Sequence, residues 1–248
     1  MKTILITGIG GPTPRSIASH IRKTYPEYKL IGIDTNPKAF GFFMPGLLDN
    51  HFVAPRADDK NYFSFIKKLI EENHIDYAIV QPEKEIIVWG DYFEKNGEFP
   101  CPAFMPSKKM AIALMDKSIM ADLLEGTKFI PITIKVTQDN PKFEEVENKI
   151  GYPCWIRATQ GSGGLGSLKL LDENNYKSWL FINKDLNEFT VSEFLTGRHL
   201  ANQMLYYNDE YIKGASLECA EYVMANLVPS KVTGNTSFEG TKLAITYS

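Results

Sequence analysis

The chain alternates short, unbroken apolar runs with longer stretches in which apolar residues return every three or four positions. Thr3-Ile4-Leu5-Ile6-Thr7 is such a run, as expected for a strand covered on both faces of a parallel sheet. Gly8-Ile9-Gly10-Gly11 turns the chain, and Arg15 to Lys23 then places Ile17, Ala18 and Ile21 on one side of a helix. Tyr28 to Asp34 is a second apolar strand and ends in an acid. Strand, glycine turn, helix, strand is the opening of a doubly wound α/β sheet. The alternation continues with a strand at His51 to Ala54, an amphipathic helix at Asn61 to Glu72, a strand at Asp76 to Gln81, and a helix at Ile86 to Lys95. A short edge strand with prolines (CPAFMPS) follows, and Ser107 caps a helix expected to run unbroken from Lys108 to Glu125.

The period then changes. Phe129 to Val136 alternates as a strand, Lys142 to Ile150 is a short charged helix, and Pro153 to Ala158 and Leu168 to Leu171 are two strands around a glycine-rich loop. Asn174 to Ile182 is a helix and Glu188 to Phe194 a strand, so the order is β-α-β-β-α-β, a split antiparallel α+β layer. Leu200 to Tyr207 and Glu210 to Leu217 pair around Asn208-Asp209. Glu218 to Asn226 is expected as a further strand, and Lys242 to Tyr247 reads as the last.

Composition narrows the function classes. At 248 residues and 44% apolar, the chain is long enough for more than one compact unit. A net charge of -3 gives no general reason to expect nucleic acid as a partner. Three widely spaced cysteines (Cys101, Cys154, Cys219) make neither a disulfide framework nor a zinc site, and His20, His51, His74 and His199 show no metal-ligand spacing. No metal ligand is assigned. The first apolar run is interrupted by glycine well short of a signal sequence or membrane span. A cytoplasmic protein without a membrane partner is the expectation.

Two stretches carry candidate chemistry. In the first, Gly8-x-Gly10 and Asp34 resemble a dinucleotide fingerprint, but Thr13 stands where the third glycine belongs and Pro12 and Pro14 flank it, which argues against nicotinamide. The turn with Gly10, Gly11 and Thr13 either holds another small ligand or only makes the turn. Glu83 and Glu85, at the carboxyl end of a strand, either touch that substrate or complement a helix dipole. In the second stretch, Gly151 to Lys169, a strand carrying Arg157 leads into Gly161-Ser162-Gly163-Gly164-Leu165-Gly166-Ser167. Backbone amides of such a loop can approach a polyphosphate closely, and an arginine can fork onto its oxygens; a plain flexible hairpin has the same composition.

Four motifs in order resemble the ATP-grasp superfamily, above all the carbamoyl-phosphate synthase large subunit and its single-module ligase relatives. They are Thr7-Gly8-Ile9-Gly10, Met115-Asp116-Lys117, Gly151 to Arg157 with its glycine loop, and Val191-Ser192-Glu193-Phe194-Leu195-Thr196-Gly197; Thr233-Gly234-Asn235 echoes a later element. The resemblance covers nearly the whole chain. It implies a Rossmann-like pre-ATP-grasp parallel sheet (1–106), a connector helix (107–127), an α+β lid with the glycine-rich loop (128–194) and an incomplete C-terminal α+β subdomain (195–248).

It also implies ATP with magnesium as cofactors, and chemistry that activates a small-molecule carboxylate as an acyl phosphate for an amine or thiol. Lys117 would reach the phosphates. Arg157 would take the place of the basic residue, lysine in most relatives and arginine in the carbamoyl-phosphate branch, that bridges the adenine side and the α-phosphate. Ser162, Gly163, Gly164 and Gly166 would fold over the β- and γ-phosphates. Glu193 would accept from the adenine amino group, with the backbone of Phe194 and Leu195 as the purine hinge. Leu200 stands where relatives carry a ribose-binding glutamate. The family's magnesium ligands lie on strands beyond Ser248, so the resemblance implies a fragment, a subunit completed by another chain or by a homo-oligomer, or a noncatalytic nucleotide-binding relative. It further implies exposed apolar surface on the last strands, and self-association.

Overall fold

The computed structural model describes residues 1–159, 166–198, 200–222 and 238–244. The chain divides into two compact units, Met1–Met115 and Asp116–Ser248.

In the first unit the apolar runs become parallel strands β1 (Thr3–Thr7), β2 (Lys29–Asp34), β3 (Asn50–Val53), β4 (Tyr77–Ile79) and β5 (Ala103–Phe104), in the order β3-β2-β1-β4-β5. The helices are α1 (Pro12–Thr24), α2 (Tyr62–Asn73), α3 (Glu83–Asn96) and α4 (Lys108–Met115). Every residue of β1 is buried. Its alternate side chains feed two cores: Leu5 joins Ile31, Ile33, Ile66 and Trp89, while Ile4 and Ile6 join Ile9, Ala18 and Leu30. This is the two-sided burial that an unbroken apolar run implies.

Helix α1 begins at Pro12, three residues before the periodicity suggests. The sequence placed Pro12 and Pro14 in the turn ahead of the helix, as residues awkward for a dinucleotide turn. They instead occupy its first turn, where a missing N–H breaks no intrahelical bond and φ is already near the helical value.

The single helix expected from Lys108 to Glu125 is two helices, α4 and α5 (Lys117–Leu124). Asp116 interrupts them at φ -105° and ψ 113°, and its carboxylate accepts from the amides of Ser118 and Ile119. An acid that bonds the next turn's amides starts a helix better than it continues one. Helix α4 belongs to the first unit: Ala111 lies in the core with Ile86 and Trp89. Gly90 of α3 provides the seat, because a Cβ there would lie 2.5 Å from the Lys108 Cβ.

The second unit follows the expected order: β6 (Thr133–Thr137), α6 (Phe143–Lys149), β7 (Cys154–Ala158), β8 (Leu168–Leu170), α7 (Glu173–Ile182) and β9 (Glu188–Glu193). These strands make an antiparallel sheet in the order β6-β9-β7-β8. Strands β10 (Leu200–Tyr207), β11 (Glu210–Tyr222) and β12 (Phe238–Ala244) form a second antiparallel sheet. Asn208 and Asp209 join β10 to β11 with φ of 49° and 63°, the left-handed pair that a two-residue hairpin turn requires. Of the stretch from Glu218 to Asn226 expected to extend the hairpin, the residues to Tyr222 belong to β11, and 223–226 lie outside the described residues. The last strand begins at Phe238, earlier than Lys242, and pairs with β11. Among the described residues no helix is long and apolar enough to cross a membrane.

Candidate functional site

Strand alternation sorts the four-stranded sheet into two faces. Val136, Phe189, Val191, Cys154, Ile156 and Leu170 pack with Val146 of α6 and Trp179 of α7 in the core of this unit. The opposite face is polar. Lys135 of β6, Thr190 of β9 and Arg157 of β7 are register partners and make one row across it. Thr133, Ser192, Trp155 and Lys169 make the next.

Two atoms in the first row are buried and lack a partner among the described residues, the Arg157 Nε and the Thr190 Oγ1. Thr190 is 1% exposed. Burial lowers the pKa of Arg157, yet a guanidinium stays charged at any working pH. A buried polar atom left unsatisfied costs about 1–3 kcal/mol, and here two such atoms belong to register partners.

Lys117 meets the same strand end. Its backbone amide and its Nζ both donate to the Thr159 carbonyl, at 3.0 and 3.3 Å. The Asp116 cap fixes this geometry by setting where α5 begins. A cavity of 430 Å³ adjoins the contact, lined by Ser118, Lys135, Thr137, Thr159 and Glu188 among others. Lys135 is ion-paired with Asp122 of α5.

Gly166 is at φ +68°; Ser162, Gly163, Gly164 and the Thr233-Gly234-Asn235 stretch lie outside the described residues. Phe194 is half-buried beside Trp155, and Leu195 is exposed. Glu193 is not brought to Arg157. Its parity is that of Phe189 and Val191, and its Oε2 accepts from the Ile132 amide at 2.8 Å. The Glu193 amide in turn donates to the Ile132 carbonyl at 3.1 Å, so the residue is tied to the chain just before β6. Arg198, just past the hinge, forks onto Glu218 with both bonds at 2.8 Å.

The first unit holds the remaining candidates at the carboxyl edge of its sheet. Asp34 Oδ2 accepts from the Gly10 amide at 2.8 Å, and Oδ1 from the Asn36 amide at 2.9 Å. The Gly11 amide donates to the Gly8 carbonyl at 2.9 Å. With Pro12 and Pro14 lacking N–H groups, the start of α1 offers few free donors to a phosphate. Gly10 is required here, since a Cβ would stand 2.8 Å from Asp34 Oδ2 and 3.1 Å from Ala39 Cβ. Thr13 and Glu83 are exposed. Glu85 is the embedded acid of the pair: it accepts from the Tyr62 hydroxyl at 2.8 Å, and Trp89 Nε1 donates to that hydroxyl at 3.1 Å. Burial pushes the Glu85 carboxyl up to about 7.

Sequence reasoning named Arg157 and Lys117 but not Thr190, Lys135 or the cavity. Thr190 carries no motif; its place beside Arg157 follows only from the pairing of β9 with β7.

No family model matches the sequence, and no curated protein matches it. Solved structures do. N5-carboxyaminoimidazole synthetase from Staphylococcus aureus, complexed with ADP, is 16% identical with a TM-score of 0.67, over 87% of this chain and 54% of that one. D-alanine–D-alanine ligase from Bacillus anthracis is 16% identical with a TM-score of 0.58, over 100% of this chain and 72% of that one. The biotin carboxylase domain of Hydrogenobacter thermophilus 2-oxoglutarate carboxylase, in complex with MgADP and bicarbonate, is 13% identical with a TM-score of 0.60, over 88% of this chain and 50% of that one. This chain thus spans about half the length of the first and the third. At such identities the likeness is one of fold.

Proposed function

We propose that this chain, which has the ATP-grasp fold, binds ATP on the polar face of the β6-β9-β7-β8 sheet and works as the nucleotide-holding part of an ATP-dependent carboxylate–amine or carboxylate–thiol ligase. The observation that carries the reading is the half-buried Arg157, whose Nε has no partner among the described residues and which lies in one row with the equally unpartnered Thr190 hydroxyl. A nucleotide phosphate supplies what both atoms lack: charge-assisted bonds from the guanidinium and an acceptor for the hydroxyl.

In this reading the purine lies at the Phe194-Leu195 backbone, with Glu193 beside it at the end of β9. Lys117, at the start of α5 beside Thr159, reaches the phosphates. The cavity at Ser118 and Lys135 gives the terminal phosphate and the approaching carboxylate their room. The arginine at position 157 favours the carbamoyl-phosphate-synthase-like branch over those with lysine. In this chemistry no side chain forms a covalent intermediate; the residues hold ATP and carboxylate in line and the acyl phosphate passes to the nucleophile. Among the described residues no group of three His, Cys, Asp or Glu side chains could hold a metal, and no step here is assigned to magnesium. The domain reading carries over as a Rossmann-like sheet, a lid and the beginning of a C-terminal subdomain. The acceptor contact at Gly10, Gly11, Thr13 and Glu83 is part of the same proposal.

Calorimetric titration of the 248-residue chain with a nonhydrolysable ATP analogue, with NAD as control, tests the reading. Saturable binding that is selective for the ATP analogue and lost in Arg157→Ala supports it. Absence of binding, or equal affinity in the variant, overturns it.

A further inference from the structure

The chain has five arginines. Arg22, Arg56 and Arg198 are ion-paired, with Asp49, Asp58 and Glu218 respectively. Among the described residues the other two, Arg157 and Arg15, pair with no carboxylate. The nucleotide reading stands on Arg157 and gives Arg15 no part. Arg15 lies in the first unit, half-buried on α1 just after the glycine turn. Its Nε donates to the Gly11 carbonyl at 3.0 Å, and its guanidinium carbon sits 4.7 Å from the centroid of the Phe40 ring. That ring is 60% exposed, so it fills no core. It opens a short 3-10 helix (Phe40–Phe43) seated on the turn itself: Gly41 is buried, and a Cβ there would stand 2.4 Å from the Ile9 carbonyl oxygen.

The place is one where an open α/β sheet takes ligands. The chain builds β1, β2 and β3 in one direction and then crosses to β4 on the other side of β1, so the turns after β1 and β4 diverge and leave a crevice at the carboxyl edge. Asp34, the acid at that edge, is engaged by the Gly10 and Asn36 amides. An arginine held through Nε and stacked on a ring has its plane fixed, while its two terminal nitrogens have no hydrogen-bond partner among the described residues. Such a fork matches the two oxygens of a carboxylate or phosphate.

We propose that Arg15, clamped between the Gly11 carbonyl and Phe40, is an oxyanion site, and that the small molecule it takes carries a carboxylate or phosphate besides the group that reacts. The inference rests on the acceptor part of the function proposed above and makes that acceptor a bifunctional molecule. It needs no nucleotide, because every residue of the site belongs to the first unit.

The test labels the full chain with phenylglyoxal, which condenses with guanidinium groups, and reads each arginine by peptide mass spectrometry. Inorganic phosphate and succinate are the probes, against sodium chloride at the same ionic strength. Labelling of Arg15 is expected to slow as a probe fills the site, by about tenfold at about nine-tenths occupancy, while the exposed Arg56 keeps its rate. Arg157→Ala should show the same protection, so this site is read separately from the nucleotide site. Phe40→Leu keeps an apolar side chain without the ring and should need about two- to fivefold more probe. Protection by phosphate alone or by succinate alone upholds the proposal and tells which oxyanion is taken. Labelling of Arg15 that neither probe slows beyond the chloride control overturns it. Equal slowing at Arg15 and Arg56, or protection lost in Arg157→Ala, overturns it as well. Protection undiminished in Phe40→Leu would leave the clamp without effect, and the proposal with it.

Discussion

On the proposed reading, removing the Arg157 guanidinium deletes a charge-assisted contact from a half-buried position, so Arg157→Ala is expected to weaken nucleotide binding by about 2–3 kcal/mol, roughly thirty- to a hundred-and-fiftyfold in Kd. Arg157→Lys keeps a cation but not the fork and should fall between the two. Calorimetry on the three proteins decides; equal affinities would remove Arg157 from the site. Glu85 makes a prediction that needs no ligand. Its carboxyl is pushed from 4.5 to about 7 by burial first, against opposing bonds from Tyr62 and Thr7. A raised acid binds its proton more tightly in the folded state. The stabilisation is therefore complete below the unfolded value and is lost as pH rises through the folded one, by about 3 kcal/mol in all. Asp76, held low by the Thr3 amide and Lys2, titrates below this window. Urea midpoints from about pH 5 to about pH 8 should fall for the wild type and stay flatter for Glu85→Gln; parallel curves would show that Glu85 does not carry the effect. The sequence offered both Glu83 and Glu85 as candidates and preferred Glu83. What separates them is Tyr62, 23 residues away along the chain, which no local pattern reveals.

Helix α5 shows how a single cap can position a side chain. Asp116→Ala removes the acceptor for the Ser118 and Ile119 amides and is expected to cost about 1 kcal/mol of stability. It also frees the helix start that holds Lys117 to the Thr159 carbonyl, so nucleotide affinity should fall along with the melting temperature. A variant that melts earlier but binds as tightly would disconnect the cap from the site. The strands and most helices were legible because apolar period and burial coincide, as in β1 and α2. The break at Asp116 was not, because the apolar spacing of Met110, Ala113, Leu114, Ile119 and Met120 continues across it while one local carboxylate decides otherwise. The polar face was half legible: Arg157 carries a motif, whereas Thr190 acquires meaning only once β9 is known to flank β7.

At the scale of the molecule, each unit has its own core, and α4 completes the first. Residues 1–115 expressed alone are expected to unfold cooperatively. Stopping at 106 deletes Ala111 from the core and leaves Gly90 without Lys108 over it, so that shorter piece should unfold at lower urea or not fold at all. Equal midpoints would place α4 outside the cooperative unit. In the second unit, Met204, Leu205, Tyr206, Tyr207, Tyr211 and Ile212 are exposed on β10 and β11. Sedimentation at rising concentration should detect self-association that Leu205→Lys with Ile212→Lys abolishes. A monomer at every concentration would show this surface to be tolerated as it is.

The two-faced sheet also bears on how such a chain can change over generations. Along β9 the even positions Thr190 and Ser192 belong to the polar face and the odd positions Phe189 and Val191 to the core. One inserted or deleted residue within that strand would exchange the two sets, burying hydroxyls and exposing the core in one step. Gain or loss of a residue is therefore expected to be lethal inside β9, whereas the Asn208-Asp209 turn can lengthen freely. Relatives that keep this site should differ in length at their turns and agree, residue for residue, through the strand.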